Sequence, residues 1–193
     1  MKNLKDTGFL VTAALLAALT YVATTILKFP TPTFGYVHIG DGFVILSGLL
    51  LGPAAGGLAA GIGSMFSDLL GGYATWAPGT FVIKFLTAAT AAVLYKFLDK
   101  RAGKKHRSAV VAVSGIAGEL VMTFGYFLYN IFMLTIVSAG GEKVALYSAI
   151  TQSLAEIPFN LMQGLAGILV ASALYPALRK IPAVRAISLK TMP

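Results

Sequence analysis

Apolar residues dominate six stretches of the chain, and polar residues collect between the stretches instead of alternating within them. The first, residues 8–27, matches the roughly 20 residues that a helix needs to cross a bilayer, and it is read as a retained helix, not a cleaved leader. A proline-rich connection follows, Phe29-Pro30-Thr31-Pro32-Thr33-Phe34-Gly35-Tyr36-Val37-His38. The second stretch, about 39–51, is short for a span and breaks at Gly52-Pro53. The others are 54–70, 80–98, 109–137 and 144–178. The pattern predicts an all-α integral membrane protein: a single domain over residues 1–193, folded as a bundle of six transmembrane helices.

Charge fixes the expected orientation. Twelve of the fifteen basic residues fall in three places that six helices put on one side. Lys2 and Lys5 precede the first helix. Lys96, Lys100, Arg101, Lys104, Lys105 and Arg107 surround the 99–108 connection, and Arg179, Lys180, Arg185 and Lys190 form the tail. Lys and Arg favour the cytoplasmic side, so both termini are expected there. The proline-rich loop and the loops at 71–79 and 138–143 then lie outside. Prolines restrict φ, so the first loop is expected to act either as a semi-rigid lid or as a plain connector.

Composition narrows the function classes. Hydrophobic residues make up 57% of the chain and charged ones 11%, against about 25% charged in soluble domains. The mean hydropathy is +0.81. The net charge of +8 follows helix ends, so no nucleic-acid partner is expected. There is no cysteine, which removes disulfides and thiolate chemistry. His38 and His106 are expected on opposite faces, so no metal site is expected.

Five charged residues sit within or at the ends of the apolar stretches: Asp41, Asp68, Lys84, Glu119 and Glu156. Each costs roughly 2.5–3.5 kcal/mol at a bilayer centre, so each should face the bundle interior or an interface. Asp41 is expected at the outer surface, as a ligand contact or as a helix cap partnered by His38. Lys84 is expected to pair with Asp68 or Glu156, or to snorkel outward. Glu156, Asn160, Gln163 and Gly167 recur at helical spacing and share one face, as do Glu119, Thr123, Tyr126 and Asn130. Two polar stripes on consecutive helices describe cavity walls, with Tyr36, Tyr73, Trp76 and Tyr129 around the mouth. The competing reading is hydrogen bonding between helices without a ligand. No catalytic residue is expected: there is no G-x-x-x-x-G-K-[ST], H-E-x-x-H or G-x-S-x-G.

Small residues mark close packing. Ala13/Ala17 and Ala14/Ala18 form overlapping small-xxx-small pairs in the first helix, and Gly52, Gly56, Gly57, Ala60, Gly61 and Ser64 do so in the third. The third helix is expected to use this face inside the bundle, and the first is open to a partner protein.

Taken together, the chain resembles the substrate-binding S components of energy-coupling factor (ECF) vitamin transporters. The likeness rests on the six-helix plan, Ala13–Ala18, Gly35-Tyr36-Val37-His38-Ile39-Gly40-Asp41, and Gly52-Pro53-Ala54-Ala55-Gly56-Gly57 through Ser67-Asp68-Leu69-Leu70-Gly71-Gly72-Tyr73, with Trp76-Ala77-Pro78 and Lys84. It implies a multi-pass subunit of a prokaryotic plasma membrane that captures a small water-soluble vitamin from outside under a closing first loop. It also implies a membrane T component, docked on Ala13, Ala14, Ala17 and Ala18, and two cytoplasmic ATPases. ATP is used by those partners, and no cofactor is expected in this chain. The nearest branch is that for hydroxymethylpyrimidine, pyridoxine or riboflavin. Tyrosines suit a small aromatic ring, and Glu, Asn and Gln suit its nitrogens and hydroxyls, so pyridoxine or hydroxymethylpyrimidine is favoured and riboflavin comes next. Tyr36, His38, Asp41, Asp68, Trp76, Lys84, Glu119, Tyr126, Asn130, Glu156, Asn160 and Gln163 are the candidate contacts. The alternatives are a stand-alone proton-coupled carrier relaying protons through Glu119 and Glu156 and a membrane-embedded enzyme using Glu156 and Lys84.

Overall fold

The computed structural model describes residues 6–31, 36–102, 106–137 and 144–191. The centre of the expected lid, 32–35, the loop 138–143, and Lys2, Lys5, Lys104, Lys105 and Lys143 lie outside the described residues. Helix α1 spans Thr7–Ile26, and its first turn is capped by Asp6, which accepts a hydrogen bond from the Phe9 N–H at 3.3 Å. A short hairpin follows, β1 (Lys28–Pro30) against β2 (Tyr36–His38), pairing Lys28 with His38 and Pro30 with Tyr36. Then come α2 (Asp41–Leu51), α3 (Pro53–Leu70), α4 (Ala77–Ala102), α5 (Arg107–Phe132), which runs into a π turn at Met133–Val137, and α6 (Leu146–Leu178). A final helix, α7, covers Pro182–Thr191. The fold is thus all-helical apart from the hairpin. The hairpin and α7 are additions to the six expected segments.

Among the described residues, four helices are long and apolar enough to cross a membrane: Thr7–Ile26, Ala77–Arg101, Arg107–Val137 and Leu146–Leu178. Their outward faces carry large apolar side chains such as Val11, Leu15, Leu120, Phe124, Leu165 and Leu169, an array far larger than a water-facing surface tolerates. Helix α2 differs. Every residue except Phe43 is buried, and at about 1.5 Å per residue it is roughly 16 Å long, half of a ~30 Å hydrocarbon core. It packs against α1, α3, α4 and α6. Asp41 therefore starts α2 within the bundle, fully buried, and not at an outer surface.

The α2–α3 reversal takes one residue. Gly52 adopts φ +82°, in the left-handed region that glycine favours, and its N–H bonds to the Gly48 carbonyl at 2.9 Å. Pro53 then opens α3, where a missing N–H costs nothing. The small face of α3 is used internally: Gly56 lies against the Ser47 carbonyl, Gly57 against Phe85 and Gly61 against Phe81. Gly48 of α2 likewise meets the backbone carbonyl of Ala88 in α4. A methyl there has no room, so Gly48→Ala is expected to cost about 1–3 kcal/mol. The check is the unfolding midpoint of the purified protein in detergent, and an unshifted midpoint would contradict the close α2–α4 approach.

The two ends of the bundle have different chemistry. At the base, Lys190 of α7 pairs with Asp6 at 2.9 Å, Arg107 with Asp99 at 3.0 Å, and the Thr191 hydroxyl donates to the Leu50 carbonyl at 3.0 Å. Above them an apolar core gathers Ile45, Leu46, Leu49, Leu50 and the pair Tyr95–Tyr175, whose hydroxyls lie 2.7 Å apart. The opposite end, the mouth, holds the hairpin and the turn between α3 and α4, and there the interior becomes polar.

Candidate functional site

Because α2 stops halfway, the space above its N-terminus belongs to side chains from its neighbours. The last turn of α3 supplies Asp68, the turn that precedes α4 supplies Trp76, and the first turn of α4 supplies Thr80. The mouth-side half of α5 brings Tyr126 and Asn130, that of α6 Glu156, Asn160 and Gln163, and the hairpin lies over them with Tyr36 and His38. Together these residues line a cavity of about 70 Å³, roughly five to seven waters' worth. Of the twelve candidate contacts, Asp41, Lys84 and Glu119 do not line it. They lie below, as its floor.

That floor is a buried charge network. Lys84 Nζ is 2.5 Å from Asp41 Oδ1, and neither side chain is exposed. Lys84 therefore pairs with Asp41, not with Asp68 or Glu156, because α2 packs against α4. Nor does Asp41 act as a cap for which His38 is the partner: the α2 N-cap is Gly40, and it is the Gly40 N–H that donates to His38 Nδ1, at 3.0 Å. The second Asp41 oxygen accepts from Gln163 Nε2 at 2.6 Å, and Gln163 Oε1 accepts from the His38 backbone N–H at 3.1 Å. One chain of bonds thus runs from α4 through α2 and α6 to the hairpin. Glu119 sits beside this network, close enough to feel Asp41 and Lys84, and both of its carboxylate oxygens are buried without a hydrogen-bond partner among the described residues.

The hairpin is tied down at further points. The Thr31 hydroxyl donates to Glu156 Oε1 at 2.7 Å, and the Tyr36 hydroxyl donates to Asp68. Tyr36 also packs on Tyr73, with ring centroids 5.0 Å apart, and Lys28 Nζ lies 4.3 Å from the Tyr36 ring. Trp76 meets Tyr129 edge-on at 5.7 Å. What remains unpaired in the cavity wall is acceptor capacity: Asp68 Oδ2 and Asn130 Oδ1 are buried and carry no hydrogen bond among the described residues. A molecule that fits would present donors to them and a flat face to Tyr36 or Trp76.

Thr80 and Thr31 are absent from the candidate contacts. Thr80, which accepts from the Tyr126 hydroxyl at 3.2 Å, was legible as one step of a Thr80/Lys84/Thr87 stripe at helical spacing. Thr31 carried no such pattern, since its partner lies 125 residues away.

His38 gives the site a pH dependence. Burial pushes its ring down to about 3; Asp41 opposes the shift, and Lys84 and Lys28 reinforce it. Accepting from Gly40 at Nδ1, the neutral ring carries its proton on Nε2. An unfolded histidine titrates near 6.5, so between pH 6.5 and 3 the unfolded chain binds more protons. This contribution to stability is complete above about pH 6.5 and is lost as pH falls towards 3. The melting temperature is expected to be lower at pH 5 than at pH 7.5, and His38→Gln to shrink that difference. An undiminished difference in the variant would place its origin elsewhere.

Comparison with known proteins agrees with this architecture. The structure of the S component of a bacterial ECF transporter superposes with a TM-score of 0.63 over 89% of this chain and 95% of that one, at 24% identity, a likeness of fold. An uncharacterised protein of Pyrococcus woesei is 31% identical over 137 residues, 70% of this chain and 85% of its own length. The sequence profile of the S component of ECF-type riboflavin transporters matches residues 5–180. S components are multi-pass plasma-membrane subunits, not enzymes, that bind small vitamins and work with a T component and ATPases. With sequence and fold in agreement over nearly its full length, the chain belongs to the ECF-type riboflavin transporter S component family.

Proposed function

We propose that this chain captures a small, uncharged, hydroxyl-bearing aromatic vitamin or precursor, of the pyridoxine or hydroxymethylpyrimidine class, for ATP-driven uptake. The observation that carries this reading is the cavity of about 70 Å³ between the hairpin and α3–α6. Five to seven waters displace roughly 150–200 Å³ of liquid, which suits one substituted ring better than the three fused rings of riboflavin. The unpaired Asp68 and Asn130 oxygens suit ring hydroxyls. Riboflavin, to which the family owes its description, is the competing ligand.

In the same reading the six segments α1–α6 build the membrane domain, with both termini in the cytoplasm and the mouth outside. The base carries most of the basic residues, which supports this placement. Ala13, Ala14, Ala17 and Ala18 line an apolar groove of about 600 Å³ between α1 and α3, which suits the T component, and two ATPases complete the importer. A stand-alone proton-coupled carrier finds support in Glu119, whose buried carboxylate is unpaired among the described residues. Uptake that persists without ATPases would favour it.

The test is a titration of the purified chain with pyridoxine, hydroxymethylpyrimidine and riboflavin, followed by the fluorescence of its single tryptophan, Trp76, beside native mass spectrometry for co-purified ligand. Saturable quenching by a one-ring vitamin, weakened by Asn160→Ala, is the expected result. Response to riboflavin alone would reverse the ligand assignment, and silence across the panel would remove the vitamin-binding reading.

A further inference from the structure

Away from the cavity, the lipid-facing side of α4 ends in a feature that vitamin binding does not use. Val82, Leu86, Val93 and Phe97 are 52%, 47%, 59% and 55% exposed, and their spacing places them on one face. The stripe is about 22 Å long, more than the ~15 Å hydrocarbon depth of one leaflet. At its base end it opens into a groove of about 450 Å³ lined by Val93, Lys96, Phe97, Lys100 and Arg101. The Arg101 guanidinium lies 3.7 Å over the Phe97 ring and bonds to the Phe97 carbonyl at 3.4 Å, so one cation is already held at the groove. Among the described residues no carboxylate pairs with Lys96, Lys100 or Arg101, and nearby Asp99 is bound to Arg107.

We propose that this groove is a binding site for an anionic phospholipid, its phosphate held by Lys96, Lys100 and Arg101 and an acyl chain lying along Val93 and Phe97 towards Leu86. Charge complementarity selects the head group, because the three cations pair with no acid among the described residues. Continuity with the apolar stripe selects a lipid over a cytoplasmic protein, which would need polar contacts where Val93 and Phe97 are exposed. The inference goes beyond the vitamin-binding reading and does not depend on it.

The experiment is native mass spectrometry of the full chain in neutral detergent, titrated with phosphatidylglycerol or with phosphatidylcholine of the same acyl chains. Each cation near a lipid surface contributes about a fivefold preference. Phosphatidylglycerol is therefore expected to be retained at concentrations on the order of a hundredfold lower, and the variant Lys96→Gln/Lys100→Gln/Arg101→Gln to lose that preference. Equal retention of the two lipids, or a triple variant that still prefers phosphatidylglycerol, would overturn the proposal. So would an equal loss in Lys180→Gln/Arg185→Gln, which removes two base charges outside the groove, since that result means unspecific attraction. Release by inorganic phosphate alone would also overturn it, by showing that the acyl chain takes no part.

Discussion

Lys84→Met is expected to destabilise the protein by about 3–5 kcal/mol, because it leaves the Asp41 carboxylate buried with only Gln163 as a donor. Methionine fills much of the lysine stem's volume, so the loss reports charge and not a cavity. The double variant Asp41→Asn/Lys84→Met is expected to recover part of it: neither member of the pair is left charged, and the amide oxygen that replaces the carboxylate still accepts from Gln163, while the neighbouring Glu119 loses Lys84 as its cation. Unfolding of both variants in the same detergent checks this, with the double-mutant cycle isolating the pair. Equal destabilisation in the single and double variants would mean that the pair's geometry, not its charge, supports the floor. Vitamin affinity separates two roles as well. Neither side chain lines the cavity, so the double variant should lose no more than about 10–100-fold in affinity, the scale on which groups that only orient a contact residue act, and a far larger loss would make the pair a direct contact.

Gln163→Leu is expected to raise the rate of ligand dissociation by about 10–100-fold while changing association little. Gln163 joins the hairpin backbone at His38 to Asp41 in the floor, and removing it leaves a buried N–H and a carboxylate oxygen each short of a partner, at roughly 1–3 kcal/mol apiece. Because Gln163 also lines the cavity, Thr31→Val provides the separating measurement. Thr31 holds the hairpin through Glu156 without lining the cavity, so several-fold faster dissociation there points to the hairpin's closure. Stopped-flow fluorescence of Trp76 reads both rates. A Gln163 variant whose loss of affinity lies wholly in association, with Thr31→Val unchanged, would reject the view of the hairpin as a fastened cover.

The helices were legible where hydropathy alone decides them. The runs at 80–98 and 109–137 needed only their ends adjusting, to Ala77–Ala102 and Arg107–Phe132 with its π turn, since the membrane requirement is local to each run. Polar stripes were legible for the same reason: spacing within one helix put Tyr126 with Asn130, and Glu156 with Asn160 and Gln163, before any neighbour was known. What depends on which helix stands beside which was not. Lys84 lies within reach of several acids in depth, and only the α2–α4 contact selects Asp41. The hairpin has three residues per strand with a proline in one, too little for an alternation pattern, and it exists because α6 and α3 receive Thr31, His38 and Tyr36. Helix α7 is ten residues with basic and apolar positions mixed. Its apolar side, Ile187 with Val184, makes sense only against the base of the core.

The shortness of α2 also sets a distance. The cavity sits on the N-terminal end of a helix that reaches only from mid-bundle to the base, so a molecule resting there has travelled about half the bilayer thickness before the protein moves at all. The journey left is the length of α2, roughly 16 Å, past the apolar Leu46, Leu49 and Leu50, with the Tyr95–Tyr175 hydroxyl pair and small hydroxyls such as Ser47 and Thr87 among the buried polar groups. A stationary bundle therefore has no wet route to offer on that side, and delivery calls for moving the walls and not for hopping between sites.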